Sequence, residues 1–103
     1  MTFIEFRQSA MQNEPPEVNI YLTALWYDMK GEWSRAHEIS QEIHNSMGSW
    51  IHAYLHRKEG DSANAEYWYR RAGKKITEDS LDQEFINMAE YFLKMENKTD
   101  DAS

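Results

Sequence analysis

His52 and His56 stand four residues apart. That spacing sets two imidazoles on one face of a helix, as a shared metal ion requires. Ala53 follows His52 where the zinc-protease motif carries a glutamate, so the pair is not a hydrolase signature. A third ligand has to come from elsewhere, from His37, Glu38 or His44. The plainer reading of two such side chains is hydrogen-bonded packing between helices, and the residue types favour it. The expectation is no bound metal and no cofactor, with His52, His56 and His37 as the candidates should a metal bind.

Six of the eleven basic residues, Arg57, Lys58, Arg70, Arg71, Lys74 and Lys75, fall within 19 positions. Functionally they suggest a local anion or carboxylate patch on an otherwise acidic chain. Structurally they suit helix ends: Arg57-Lys58 and Arg70-Arg71 close their helices, where cations complement the dipole. Glu66 also stands four before Arg70 and can pair with it. The four glycines are isolated and form no phosphate-binding loop, and no Gly-flanked nucleophile or Ser/His/Asp order occurs. A non-enzymatic protein is therefore expected.

The chain has 103 residues, room for one domain, and no cysteine, which excludes disulfides and thiolate metal sites. Its formal net charge of −7 argues against a general nucleic-acid or anionic-membrane binder. Met1 to Arg7 lacks a basic start followed by an apolar run, so no signal peptide is expected. No apolar stretch approaches ~18–20 residues, so no membrane span is expected either. A cytoplasmic location follows as the expectation.

Helical periodicity and sparse punctuation predict an all-α chain of six helices. The first runs from about Phe3 to Gln12. The second runs from an Asn19 N-cap to Lys30, with Leu22, Leu25, Trp26 and Met29 inward. The third spans Trp33 to His44 and the fourth Met47 to Glu59, the latter with Trp50, Ile51, Tyr54 and Leu55 inward. The fifth follows an Asp61 N-cap and buries Ala65, Trp68, Tyr69 and Ala72. The sixth opens on a capping box, Ser80 to Gln83, and carries Leu81, Phe85, Met88, Ala89, Phe92 and Met95 on one face. Residues 1–97 form the domain, and 98–103 a frayed polar tail.

A shift of 29 residues lays Ala24 on Ala53, Gly31 on Gly60 and Ala36 on Ala65. Tyr21 falls on Trp50, Leu22 on Ile51 and Glu32 on Asp61. The unit is helix, glycine turn, helix, with alanines where paired helices approach closely. The segments Ala24 to Ala36 and Ala53 to Ala65, with Tyr69 and Ala72, resemble the tetratricopeptide repeat. The likeness covers Tyr21 to Lys74, with a period shorter than the usual 34 and no closing proline. It implies two stacked helix-turn-helix units, a short N-terminal helix and a C-terminal capping helix. The block Trp50 to Asp61, with Tyr67 to Gly73, also resembles a set of short bacterial proteins without an assigned activity, which implies a bacterial cytoplasmic origin.

By that resemblance, Tyr21, Leu25, Trp50 and Tyr54, with Asp28, Arg57 and Lys58, line the inner groove of the array. The same likeness turns His52 and His56 toward a partner helix. Aromatic area beside a cation suits an apolar peptide segment carrying a carboxylate. The alternative is that the first or sixth helix lies in the groove and buries these residues. The expected function is a non-enzymatic protein- or peptide-binding adaptor. The alternatives are a metal-binding or enzymatic protein centred on His52 and His56, or a structural self-associating protein. A monomer or weak homodimer is expected, binding neither nucleic acid nor membrane.

Overall fold

The computed structural model describes the backbone of residues 1–102 and the side chains of residues 1–97. The frayed tail expected at 98–103 lies outside the described side chains. Six α-helices and no strand occur among the described residues: α1 (Phe3–Gln8), α2 (Ile20–Met29), α3 (Trp33–Glu42), α4 (Ser46–Lys58), α5 (Ser62–Arg71) and α6 (Leu81–Ala102). A 3-10 turn, Ser9–Met11, continues α1. None of the helices is long and apolar enough to cross a membrane, among the described residues.

Local chemistry explains most of the boundaries. Asn19, Asn45 and Asp61 each cap the following helix, their side chains accepting from the amides of Leu22, Gly48 and Asn64. Gly31 and Gly60, with φ of 79° and 87°, end α2 and α4 in the left-handed conformation that glycine adopts without a Cβ penalty. The amides after them bond back to Tyr27 and His56 carbonyls, so both turns close in the same way.

Two expected boundaries move, and one expected cap forms only in part. The first helix stops being α-helical at Gln8, where the Ser9 hydroxyl donates to the Phe6 carbonyl and the chain tightens into a 3-10 turn. The third ends at Glu42 rather than His44, because extended Ile43 leads the chain into the Asn45 cap of α4. Only half of the capping box at Ser80 forms: Gln83 N–H donates to Ser80 Oγ at 3.0 Å, while the Gln83 amide turns to Asn87 Oδ1 at 2.9 Å. A complete box occurs instead at Thr2 and Glu5.

Neighbouring helices pair as α2 with α3 and α4 with α5, and α3 meets α4. The alanines Ala24, Ala36, Ala53 and Ala65 are all buried, which lets these helices approach closely. Helix α4 is central, buried from Gly48 through His56. Helix α6 lies across α2 and α4 and also meets α1, bringing Met88, Ala89, Phe92 and Leu93 into one core with Leu22, Leu25, Trp26, Ile51 and Leu55. At about 25 cal/mol per Å², each of the large apolar side chains among these contributes roughly 1.5–3 kcal/mol of burial.

Candidate functional site

The groove residues lie beneath α6. Tyr21 stacks on Phe92 with ring centroids 5.1 Å apart, and Trp50 meets the same ring edge-on at 5.9 Å. Leu25 is fully buried, and Tyr54 is 3% exposed with its ring 6.2 Å from Phe85. Of the two arrangements expected for Tyr21, Leu25, Trp50 and Tyr54, an open groove or one covered by a terminal helix, the structure has the second. The chain's own sixth helix occupies the groove, because its apolar face is long enough to cover both α2 and α4.

Arg57 is engaged by that same helix. Its guanidinium donates to Glu84 Oε1 at 2.8 Å and to the Asp79 carbonyl. Glu84 is 3% exposed and also accepts from Trp50 Nε1 at 3.2 Å and from the Tyr69 hydroxyl at 2.6 Å. A buried carboxylate is tolerable only with such compensation. Burial and the adjacent Glu84 push the Tyr69 phenol up, so it stays protonated and donates. This four-residue lock pins α6 to α4 and α5.

One part of the groove stays open. A cavity of about 350 Å³ lies between α1, α2, α4 and α6. Phe3, Met29, Phe85 and Ile86 supply apolar wall, and Arg7, Tyr54, Lys58, Asp28 and Asp82 supply polar atoms. Asp28 is 4% exposed and pairs with Lys58 Nζ at 2.9 Å. Arg7 and Asp82 have no ionic partner among the described residues. The Tyr54 hydroxyl has no hydrogen-bond partner among them either, although the residue is buried. Burial, with the carboxylates of Asp28, Glu84 and Asp82, pushes Tyr54 up, so its hydroxyl remains a neutral donor facing the cavity. Tyr54 and Lys58 are thus the expected groove residues that line this cavity.

The third ligand candidate that joins the histidine pair is His37. It stands on α3, with His52 and His56 on α4, and one ring nitrogen of each lies within 4.8 Å of the others. Glu38 and His44 are exposed; Glu38 pairs with Arg35 at 3.7 Å. Trp33 stacks on His37 at 4.9 Å and Trp68 on His52 at 3.9 Å, closing the cluster from two sides. His56 Nδ1 lies 2.6 Å from Glu59 Oε1. His52 is 4% exposed and neither ring nitrogen has a hydrogen-bond partner among the described residues. Burial first, then the charges of His37 and His56, lower His52 to about 4. Burial and His56 lower His37 as well, against the opposing pull of Glu59 and Glu38.

The remaining cations disperse. Arg70 pairs with Glu66 at 3.1 Å, Arg71 lies over the rings of Tyr67 and Trp68, and Lys74 sits 4.0 Å from the Trp50 ring centre. The buried acid Glu84 escaped sequence reasoning, whereas Asp28 lies on the expected groove face. Glu84 carried one usable signal, standing between Leu81 and Met88 on the apolar side of α6. No family model, curated protein or solved structure matches the chain.

Proposed function

We propose that this protein is a non-enzymatic binding domain that captures an apolar peptide segment through a carboxylate, at the cavity bounded by Arg7, Tyr54 and Lys58. The observation that carries the reading is the Tyr54 hydroxyl, a neutral donor on a buried residue without a hydrogen-bond partner among the described residues, in the wall of a cavity that also holds an unpaired guanidinium. The carboxylate takes Arg7 and Tyr54, the apolar side chain lies against Phe3 and Phe85, and Asp82 accepts a neighbouring peptide N–H. A cavity of about 350 Å³ admits one side chain and a terminal carboxylate, within the usual size range of ligand sites. The contact between α6 and the rest of the groove supports the same chemistry, since that helix also presents an apolar face and a carboxylate, Glu84 on Arg57. The tetratricopeptide resemblance adds an analogy, as such arrays are binding scaffolds. The lack of cysteine and the likeness to short bacterial proteins support a bacterial cytoplasmic setting.

Calorimetric titration with short apolar peptides, as free acids and as C-terminal amides, tests this. The free acids bind at least about tenfold more tightly, equivalent to about 1.4 kcal/mol, and Arg7→Glu removes the difference. Equal binding of acid and amide, or a preference that survives Arg7→Glu, contradicts it.

A further inference from the structure

We infer that His37, His52 and His56 form a binding site for one divalent transition-metal ion of the zinc class, with Glu59 as the carboxylate that orients His56. Three observations converge. Ring nitrogens from two helices already lie within 4.8 Å of one another. His52, 4% exposed as a residue, has no hydrogen-bond partner at either ring nitrogen among the described residues, so both lone-pair positions stay available to an ion. Glu59 holds His56 Nδ1 as a donor at 2.6 Å, which leaves Nε2 as the free lone pair. A carboxylate on the far nitrogen of a ligating histidine is the usual outer contact of such sites.

The chemistry of the donors selects the ion. Three imidazoles and no inward-facing carboxylate suit zinc, cobalt, nickel or copper, and not calcium or magnesium, which take oxygen ligands. Metal–nitrogen bonds of about 2.0–2.1 Å in a tetrahedral site place the nitrogens roughly 3.3 Å apart. The rings therefore draw inward on binding, a movement that side-chain rotation on α3 and α4 supplies. Protein ligands fill three positions and leave the fourth to water. The stacked faces of Trp33 and Trp68 flank the rings of His37 and His52 and leave them room to slide inward in their planes. A second grouping, His56 with Glu59 and Asp61, is less suited. Both its carboxylates are exposed, and Asp61 is occupied in capping α5 through Asn64 N–H.

Metal-free protein titrated with zinc chloride or cobalt chloride tests the site. One ion per chain, visible absorption bands of four-coordinate cobalt and a raised melting temperature are the expected results. His37→Ala, at a half-exposed position, lowers affinity at least tenfold while leaving the helical circular dichroism intact. His52→Gln does the same, and Glu59→Gln weakens binding to a smaller degree. His44→Ala leaves binding unchanged. The inference is overturned if equilibrium dialysis finds no stoichiometric ion at tenfold metal excess. Binding that persists in His37→Ala but disappears in Asp61→Asn overturns it too, by placing the ion on the exposed acids. Should His52→Gln fail to fold, the His37→Ala result alone decides.

Discussion

Gly48 has no room for a methyl group. A Cβ there would lie 2.3 Å from the Ile43 carbonyl oxygen and 2.7 Å from the Ile43 Cβ. Alanine improves helix propensity by at most about 1 kcal/mol, whereas forcing backbone apart costs more than ordinary overpacking of roughly 1–3 kcal/mol. Gly48→Ala therefore loses on the order of 2 kcal/mol in urea unfolding; a gain in stability would show that Ile43 yields freely. His52 sets a second expectation, for metal-free protein. Its imidazole falls from the usual value near 6.5 to about 4 on folding, so the unfolded chain binds more protons between those values. The stability this group contributes is complete above pH 6.5 and is lost as pH falls toward 4, on the order of 2 kcal/mol in all. His37 adds in the same direction. His37 and His56 are the titratable groups whose charges act on His52. His52→Gln should flatten the slope of stability between pH 7 and 4.5, and an unchanged slope would assign it to other groups. His52 and His56 were legible as a pair from their spacing. That His37 completes the cluster was not, because the partner helix of a hairpin is fixed by packing and leaves no local mark in sequence.

Among the elements, α6 decides what the rest can do. With an open groove, Arg57→Glu would leave the melting temperature unchanged. In this structure the substitution sets a second carboxylate against Glu84, which is 3% exposed, and strips a buried charge of its partner. A loss of about 3 kcal/mol is the expected outcome, read as a lower urea midpoint with an unchanged slope. Glu84→Ala should cost a similar amount, since it orphans Arg57, Tyr69 and Trp50 together. Full stability in both variants would mean that α6 is held by apolar contacts alone. Capping residues and glycines made the helix ends readable, as Asn19, Asp61, Gly31 and Gly60 show. The apolar face of α6 was readable as well, from Leu81 through Phe92. Where that face docks was not, since α1 and α6 both offered apolar residues to the same groove. The choice depends on the area each covers, and on Glu84 finding Arg57, Tyr69 and Trp50.

For the whole molecule, among the described residues, the large exposed apolar residues Met1, Ile4, Met11, Ile20, Tyr67, Ile76 and Tyr91 are spread over several elements and connectors. An obligate dimer buries a more continuous apolar surface. Light scattering at two concentrations should give the 12.3 kDa mass of one chain, or a weakly concentration-dependent rise; a tight tetramer would contradict this. The central claim is that α6 keeps the groove while the Tyr54 cavity takes the ligand. Nuclear magnetic resonance of the chain during titration with a free-acid apolar peptide tests both halves at once. Perturbations centred on Arg7, Tyr54, Lys58 and Phe85, with the Tyr21–Phe92 ring contact intact, are the predicted result. Loss of the Tyr21–Phe92 contact as peptide binds, or perturbations remote from Tyr54, would contradict the account.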